Sequence, residues 1–406
     1  MKMQKWIMGV LLISAAHQLH AAGYAIYEAS AKGNAMAGAL LGGADDASNA
    51  HFNPAAMTEV PGLAVMSGAT LIAPTARVRV QGQPYDLDPQ YFVLPHAYAT
   101  YGLNDWLWSG FSLHVPYGTG TDYPSSMPTL AKLYSTATYM ESMEAMPSLA
   151  FKVTEDFSVA AGARAIWTKT TIRHQIYSPL QLAYPFPVEH QTEAIGYGYV
   201  VSGLYHITDD LDAGLVYRSR VREDSSGTSS GWPNHSYGMD ALVTLPDSWE
   251  GGLNYKLTKA WEIGCSAIYT GWSSYSDLIL EIPGMPPNSA SPTGNEINSR
   301  KDWKDVWRLG LGTSYALSSS WTVMGGYTYD WSPIPESRAD FMMPPGNRHL
   351  LGTGLAYTLA PFTLTLGYNF LLMESSQSEA MHSTLGTVYF DHCYAHMVSV
   401  SLGANF

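Results

Sequence analysis

Residues 362–372 read Phe-Thr-Leu-Thr-Leu-Gly-Tyr-Asn-Phe-Leu-Leu, and this stretch decides the fold class. Large apolar residues occupy the even positions from Phe362 to Leu372, and Thr, Thr, Gly and Asn occupy odd positions between them. Successive side chains of a β-strand point to opposite faces, so the pattern predicts a strand with one apolar face. Residues 157–168 and 307–315 alternate in the same way. A soluble antiparallel sandwich would also alternate, but apolar faces about ten residues long with aromatic ends favour a membrane-spanning barrel.

The connections between such stretches alternate in length from residue 61 to Phe406. Short turns are expected at residues 103–105, 154–156, 208–210, 258–260, 318–320 and 359–361. Connections of about a dozen to twenty residues lie between them. Tight turns at one end and long loops at the other are typical of an outer-membrane barrel.

The pattern predicts fourteen strands. They are expected at residues 61–73, 90–103, 106–117, 139–153, 157–176, 191–207, 211–221, 241–257, 261–280, 300–317, 321–331, 346–358, 362–373 and 393–406. An even number lets the first and last strands pair antiparallel, and closure satisfies backbone groups that lipid cannot satisfy. The sequence therefore predicts an all-β fold, a 14-stranded antiparallel transmembrane β-barrel over residues 61–406.

The composition agrees with strands rather than membrane-spanning helices. Of 406 residues, only 14% are charged and 12% are aromatic, with 27 Tyr and 12 Trp. The mean hydropathy is −0.07, and no stretch reaches the eighteen or so apolar residues that a spanning helix needs. Plentiful amphipathic rings are expected where aromatic girdles meet the membrane interface.

The N-terminus predicts export. Lys2 and Lys5 precede an apolar run at residues 7–16, and the small residues Ala21 and Ala22 follow, so we predict a signal peptide over residues 1–21. A retained anchor is the alternative, but the run is too short. Without that leader the chain carries 21 − 2 = 19 basic and 34 acidic residues, a net charge of −15 that disfavours nucleic acid. The expected location is the outer membrane of a Gram-negative cell.

Residues 22–60 break the alternation of strands and turns. They are rich in Ala, Gly and Asn and show no clear period. A disordered tail in the periplasm is one interpretation, but low charge and small residues favour packing. We therefore predict a hatch, residues 22–60, that plugs the barrel lumen.

The cysteines and a nearby histidine pair give two further expectations. Cys265 is expected near the short-turn end and Cys393 near the loop end, too far apart for a disulfide. Asp391, His392, Cys393 and His396 are metal-ligand residue types, but exported loops often carry such residues as solvated polar groups. We predict no metal and no cofactor.

Several short motifs occur in a fixed order. Ala22-Gly23-Tyr24, Ala44-Asp45-Asp46-Ala47 and Asn53-Pro54-Ala55 are followed by residues 147–150, 245–248, 271–274, 329–333 and 344–348. Together they resemble the FadL/TodX (OmpP1) family, outer-membrane channels for long-chain fatty acids and other hydrophobic compounds. The resemblance covers most of the mature chain, and it implies fourteen strands and an N-terminal hatch.

The resemblance also implies a mechanism. Ligand would adsorb among the extracellular loops and enter a pocket in the lumen. The hatch, with Asn53, Pro54 and Ala55, would gate the path, and ligand would leave sideways through a kink in the third strand. Pro116 lacks a ladder donor and Gly118 weakens a strand, so these residues are the candidate kink, with an ordinary strand end as the alternative.

Two groups of residues suit ligand binding. Leu180, Leu182, Tyr184 and Phe186 make the loop at residues 176–188 apolar, which indicates extracellular capture, with packing between loops as the alternative. Strand parity points Arg164, Arg218, Lys256 and Arg308 into the lumen. Arg164 or Arg308 could pair with a fatty-acid carboxylate, or instead with acids of the lumen or hatch such as Asp45 and Asp46.

The sequence therefore predicts a passive uptake channel for hydrophobic molecules, and not an enzyme. Long-chain fatty acids are the first candidate ligand, and aromatic or aliphatic hydrocarbons are the second. A nonspecific aqueous porin and an outer-membrane lipid hydrolase are the rivals, although no G-x-S-x-G signature occurs. The expected partners are the hydrophobic ligand, outer-membrane lipid and lipopolysaccharide, with the chain a monomer.

Overall fold

The computed structural model describes residues 23–177, 184–233 and 235–406. Within them, fourteen long strands form the wall of one antiparallel sheet. They are β1 (Leu63–Val80), β2 (Phe92–Asn104), β3 (Leu107–His114), β4 (Ala137–Lys152), β5 (Phe157–Ile176), β6 (Phe186–Thr208), β7 (Leu211–Arg218), β8 (Ser248–Thr258), β9 (Trp261–Thr270), β10 (Val306–Ala316), β11 (Trp321–Asp330), β12 (Arg348–Leu359), β13 (Phe362–Met373) and β14 (Val388–Asn405). Because β14 pairs with both β13 and β1, the barrel is closed, and the predicted 14-stranded fold is confirmed.

The six short turns lie where the sequence places them, but several strands are longer or more broken than expected. β1 continues to Val80, β6 begins at Phe186 and β14 begins at Val388, because these strands extend past the membrane into the loops. Of the segment at residues 176–188, expected to be a loop, Ile176 ends β5 and residues 186–188 begin β6, and residues 178–183 lie outside the described residues. The leader predicted for residues 1–21 lies outside the described residues.

Three predicted strands are interrupted on the extracellular side. The segment expected at 241–257 divides into His235–Leu245 and β8, since Pro246 removes a ladder donor at the junction. β9 ends at Thr270, a 3-10 turn follows at Trp272–Ser274, and pairing resumes at Asp277–Glu281. The expected strand at 300–317 divides into Glu296–Arg300 and β10.

The outer surface is apolar and bounded by rings. Leu309 and Leu311 of β10 and Leu364 and Leu366 of β13 are all exposed on the wall. At the short-turn end, Trp261 lies 6.3 Å from Tyr315 and Trp321 lies 4.7 Å from Tyr357, measured between ring centroids. These pairs form an interfacial girdle. In the described part of the chain, no helix has the length and apolar character needed to cross a membrane.

The N-terminal segment lies inside the barrel. Its short elements are the helices Ala31–Ala35 and Asn49–Phe52 and the 3-10 helix Pro54–Glu59. The first helix packs against β12 and β13, and the 3-10 helix packs against β4, β5 and β6. We refer to residues 23–29 as the hatch tip and to residues 30–60 as the hatch body.

Candidate functional site

The hatch body lies directly on the barrel wall because the wall carries glycine there. Seven adjacent strands, β7 to β13, place glycines against hatch residues 31–42, and we call one glycine from each strand the glycine row: Gly214, Gly252, Gly264, Gly312, Gly326, Gly352 and Gly367. A Cβ on Gly312 would lie 2.5 Å from the Met36 carbonyl oxygen, and one on Gly326 would overlap the Met36 backbone. The glycine row thus brings two main chains into contact without room for a side chain between them.

Asn53, Pro54 and Ala55 anchor the other end of the hatch body. The Asn53 amide is fully buried, donates to the carbonyls of Leu41 (3.1 Å) and Gly203 (3.2 Å), and its oxygen accepts from the Ala55 backbone N–H (3.1 Å). Pro54 opens the 3-10 helix, where its missing donor costs nothing. The Ala55 N–H also donates to Ser202 Oγ of β6 (2.9 Å). The motif therefore caps the start of the 3-10 helix and attaches the hatch body to β6 of the wall.

The hatch tip makes a different kind of contact, with the segment that follows β3. Ala25 and Tyr117 form an isolated antiparallel bridge. The Ile26 N–H donates to the Pro116 carbonyl and the Gly118 N–H donates to the Tyr24 carbonyl, both at 2.9 Å. The two predicted kink residues, Pro116 and Gly118, thus lie on either side of the residue that the hatch tip holds.

Next to this bridge the barrel wall is open. β3 ends at His114, and pairing with β4 resumes only at Thr119–Asp122. On the other side, the described ladder between β2 and β3 begins at Ala97 and Leu113, so residues 92–96 pair with β1 alone. We call this opening between residues 92–96 and 115–122 the wall gap.

A cavity of about 550 Å³ connects the lumen with the wall gap. At its inner end it is lined by Arg308 and Arg348, and at the gap by Pro95 and Val115. It continues to Tyr91 and Val93, whose side chains are 71% and 66% exposed on the outside of the barrel. A volume of roughly 300–1,000 Å³ is typical of small-molecule sites. The cavity is therefore large enough for a small molecule and is open through the wall gap.

Arg164 points into the lumen as predicted from strand parity, but its guanidinium already has partners. Nε and Nη2 donate to the two oxygens of Glu144 at 2.8 and 2.9 Å, and Nη1 donates to the Ser219 carbonyl at 3.0 Å. Both Arg164 and Glu144 are buried. The Arg164 guanidinium and the Glu144 carboxylate stay paired, because separating them would leave each charge buried without a partner.

Arg308 and Arg348 face the cavity of about 550 Å³. Arg308 donates to Asp330 Oδ2 at 3.2 Å, and its guanidinium carbon lies 4.4 Å from the centre of the Tyr27 ring. Arg348 donates through Nη2 to the Gly23 carbonyl at 3.2 Å, while its Nε is buried without a hydrogen-bond partner among the described residues. Arg348 therefore keeps a donor that a ligand could use, and the sequence reasoning did not select it.

The lumenal arginines pair with acids of the lumen, which was the alternative to a ligand carboxylate. Arg164 pairs with Glu144 and Arg308 with Asp330, whereas Asp45 of the hatch pairs with Lys32. The acids differ from the two examples expected, Asp45 and Asp46, since strand parity gives the face of a residue but not its height in the barrel. The Lys32 ammonium holds the pKa of Asp45 below its usual range.

An aromatic cluster surrounds the first residues of the hatch tip. Tyr24 is buried, and its ring centroid lies 4.9 Å from Trp303, 5.9 Å from Tyr275 and 6.1 Å from Trp272. Trp272, Tyr275 and Trp303 belong to the extracellular connections between β9 and β10. The Gly23 backbone lies so near Trp272 and Trp303 that a Cβ there would come within 2.7 Å of both indoles.

The predicted capture residues divide into three outcomes. Tyr184 is 80% exposed above the barrel. Phe186 is buried in β6, with its ring 5.6 Å from Trp232 in an edge-to-face arrangement. Leu180 and Leu182 lie outside the described residues. The structure therefore places Phe186 in the packing of the loops and leaves Tyr184 on the surface.

A second lumenal chamber lies on the side of the short turns and is polar. It has a volume of about 380 Å³ and is lined by Lys32, Asp45 and Asp46 of the hatch and by Glu262 and a group of wall threonines (Thr322, Thr358, Thr363, Thr365). The hatch body lies between this chamber and the apolar cavity. The two ends of the lumen thus differ in polarity, and the apolar one is open at the wall gap.

The remaining polar cluster on β14 is dispersed. Asp391 pairs with Arg79 at 2.5 Å, and His396 faces outward, where Tyr368 Oη lies 2.8 Å from its Nδ1. Cys265 and Cys393 are both free thiols. Within the described ranges, no group of three or more potential metal ligands comes together.

A closed fourteen-stranded barrel with an apolar outer surface, an aromatic girdle and an internal hatch defines the class of outer-membrane β-barrels. The chain matches, over residues 12–405, the family described as outer membrane protein transport protein (OMPP1/FadL/TodX). The long-chain fatty acid transport protein of Escherichia coli O6:H1 is 25% identical, with 86% of each chain covered. Outer membrane protein P1 of Haemophilus influenzae Rd is 24% identical over 76% of this chain and 72% of that protein.

Solved structures share the fold. A Pseudomonas aeruginosa FadL homologue superposes with a TM-score of 0.82 at 18% identity, covering 95% of this chain and 100% of that one. The Pseudomonas putida toluene transporter TodX gives a TM-score of 0.74 at 16% identity, covering 94% and 99%. The chain belongs to the OMPP1/FadL/TodX family. It is an outer-membrane β-barrel of the Gram-negative type, in a family of transporters for long-chain fatty acids and hydrophobic compounds.

Proposed function

We propose that this protein is a passive uptake channel that moves long-chain fatty acids from the outside into the outer membrane. The observation that carries the proposal is the cavity of about 550 Å³ that begins in the lumen and ends at the wall gap. An apolar solute gains by staying out of water, so release into lipid is favoured over release into the periplasm. The polar chamber below the hatch body supports the same direction.

The route follows from the order of these features. Ligand adsorbs among the apolar extracellular loops, where Tyr184 is exposed. It then enters the cavity beside the hatch tip and leaves through the wall gap, between residues 92–96 and 115–122. Asn53, Pro54 and Ala55 hold the hatch body while the tip moves. This division is supported by the hydrogen bonds that tie Asn53 and Ala55 to the wall strand β6, and by the bridge from Ala25 to Tyr117 that joins the tip to the segment beside the wall gap.

Arg348, with Arg308, is the proposed contact for the fatty-acid carboxylate. Both line the cavity, and the buried Nε of Arg348 is a donor without a partner in the described chain. Arg308 must share its guanidinium with Asp330, and Arg164 would have to leave Glu144 to reach a ligand. A carboxylate at Arg348 would satisfy a donor that is otherwise left buried and unpaired.

Uptake of labelled oleate by cells lacking their own channel tests this proposal. We expect wild-type protein to support uptake and Arg348→Leu to lower it about tenfold, as one charge-assisted hydrogen bond would give. Arg222→Leu is the matched control, because Arg222 lies on the surface and pairs with the exposed Asp224. Oleate uptake that is unchanged in Arg348→Leu would exclude Arg348 as the head-group contact.

Aromatic hydrocarbons are the second candidate ligand. The similar structures include toluene transporters, and the aromatic cluster around Tyr24 lies beside the path. Toluene has no carboxylate, so its uptake should not respond to Arg348→Leu. Wild-type uptake of toluene but not of oleate would favour this candidate.

A further inference from the structure

A glutamine side chain lies at the extracellular rim of the wall gap. Asp122 ends one edge of the gap, and its carbonyl accepts from the Asp88 N–H at 2.9 Å. Two residues further along, Gln90 faces Gly120, and a Cβ on Gly120 would lie 2.9 Å from Gln90 Oε1. The carboxamide nitrogen and oxygen of Gln90 are both buried, and neither has a hydrogen-bond partner in the described part of the chain. Gln90 therefore holds an unused donor and an unused acceptor beside the gap.

The rim lies at the height where the outer surface of the barrel changes from apolar to charged. On β1, Leu71 is exposed on the wall, and the charged Arg77 follows further along the same face. Phe92 pairs with Ile72 of β1, and Gln90 precedes Phe92 by two residues on the side of the loops. The carboxamide thus lies near the membrane surface, where an amphipathic molecule in the outer leaflet keeps its polar end.

We propose that Gln90 binds the neutral carboxylic acid end of a fatty acid that leaves through the wall gap, as a head-group site separate from Arg348. This inference rests on the proposed function and adds the chemical form of the ligand at its exit. A carboxylic acid has an O–H donor and a carbonyl acceptor side by side, and a carboxamide presents the complementary acceptor and donor. A carboxylate has acceptors only, so it would leave Gln90 Oε1 unpaired. Arg348 has the opposite preference, because a guanidinium has donors only.

The neutral acid is the form that enters lipid at the lower cost. Transfer of a charged carboxylate into hydrocarbon is far more expensive than transfer of a polar group without charge. The carboxylate takes one proton from the aqueous solution, R–COO⁻ + H₃O⁺ → R–COOH + H₂O, and no other bond changes. Two hydrogen bonds to Gln90 stabilise the product, so they shift this equilibrium toward the neutral acid at the point of exit.

Phe92 and Gly120 lie between Gln90 and the cavity of about 550 Å³, which both of them line. A Cβ on Gly120 would overlap Phe92 Cζ, so the Phe92 ring rests on the Gly120 backbone beside the carboxamide. The ring covers the site while it is empty, and rotation of the Phe92 side chain gives a ligand in the cavity access to Gln90.

Carbon-13 NMR of the purified full-length protein in detergent micelles tests the site. The probe is oleic acid labelled at its carboxyl carbon, whose chemical shift separates the neutral acid from the carboxylate. At a pH at which oleate in micelles alone is ionised, we expect the wild type to show a neutral-acid signal. Gln90→Met keeps the length of the side chain and removes both hydrogen bonds, so this signal should fall about tenfold. Gln83→Met is the matched control, because Gln83 is exposed in the same extracellular connection.

The outcomes separate this site from the proposed function. A neutral-acid signal that is lost in Gln90→Met and kept in Gln83→Met and Arg348→Leu supports the site, as does oleate uptake about tenfold lower in Gln90→Met. No such signal in the wild type, or an equal signal in Gln90→Met, overturns it, and so does unchanged uptake.

The stability of Gln90→Met is a second measurement. The substitution removes two unpaired polar atoms, so the thermal midpoint should stay the same or rise. A lower midpoint would show that the carboxamide has a structural role and would overturn the proposal. A wild type that binds oleic acid in both forms but does not transport it would contradict the proposed function alone.

Discussion

Ala25 of the hatch tip and Tyr117 of the wall form one isolated antiparallel bridge, flanked by hydrogen bonds to Pro116 and from Gly118. The bridge joins the hatch tip, which lines the cavity, to the part of the wall that is open. Ser142 of β4 holds Tyr117 from the other side, donating to its carbonyl and accepting from its N–H. Tyr117 is therefore held on one side by the Ser142 side chain and on the other by the backbone of the hatch tip.

Locking this bridge should stop transport. Residues paired across an antiparallel bridge lie about 4.5–5.5 Å apart at Cα, within the range for a disulfide. In a Cys265→Ser, Cys393→Ser background, the pair Ala25→Cys and Tyr117→Cys should abolish oleate uptake when oxidised and restore it on reduction. The control pair Leu364→Cys and Leu402→Cys joins two neighbouring wall strands and should leave uptake unchanged. Uptake by the oxidised Ala25–Tyr117 variant would show that transport does not require movement of the hatch tip.

The glycine row should not accept a methyl group. Gly326→Ala places a Cβ into the Met36 backbone, so we expect a loss of about 1–3 kcal/mol in the free energy of unfolding or partial release of the hatch body. Thermal unfolding measures the first effect, and small-ion conductance in planar bilayers measures the second. Gly251→Ala is the matched control, because nothing lies within 4 Å of its Cβ position. Equal stability and conductance of the two variants would contradict the contact.

Removing the charge of Glu144 should be costly. Glu144→Leu leaves the buried Arg164 guanidinium without its bidentate partner, which costs about 3–5 kcal/mol in comparable buried pairs. Asp224→Leu breaks the exposed Arg222 pair and should cost about 0–1 kcal/mol. Thermal midpoints of the two variants are compared. If Glu144→Leu were as stable as Asp224→Leu, Arg164 would have to be solvated in the lumen.

The interruption after β3 should be necessary for exit. The variant Pro116→Thr supplies a ladder donor and a β-branched residue, so it favours a continuous strand next to residues 92–96. Gly118 is kept, because a Cβ there would lie 2.8 Å from Ile26 of the hatch tip. We expect oleate uptake to fall several-fold while the thermal midpoint stays the same or rises. Pro283→Thr, in an exposed loop, is the control. Undiminished uptake by Pro116→Thr would mean that ligand leaves by another route.

The sequence predicts the wall well, since alternation is a local property of each strand. Residues 362–373 are a strand with the expected bounds, and all six short turns fall where they were placed. The extracellular ends were predicted less well. There, the strand Val221–Trp232 exposes polar residues such as Arg222 and Asp224 on one face and buries Ser225 and Ser229 on the other, so neither face is continuously apolar.

The site depends on contacts that parity cannot supply. The inward direction of Arg164 and Arg308 follows from their positions in β5 and β10, but their partners Glu144 and Asp330 come from neighbouring strands at a matching height. The height at which two residues meet depends on the pairing register of their strands, which the sequence pattern does not give. Arg348 ends the motif at residues 344–348, but the sequence does not show that its buried Nε lacks a hydrogen-bond partner. Tyr24 also lay in a quoted motif, yet its neighbours are about 250 residues away.

The contact between hatch and wall restricts the residue type in the barrel strands more than in the hatch. Because the contact is made by the backbone of residues 31–42, their side chains can change without removing it, whereas each of the seven wall positions tolerates only the smallest residue. The shape of the plug is thus encoded in strands that follow it by 150 residues or more, from Gly214 onward. Exchanging hatches between two such barrels should succeed only where the receiving wall carries the same row.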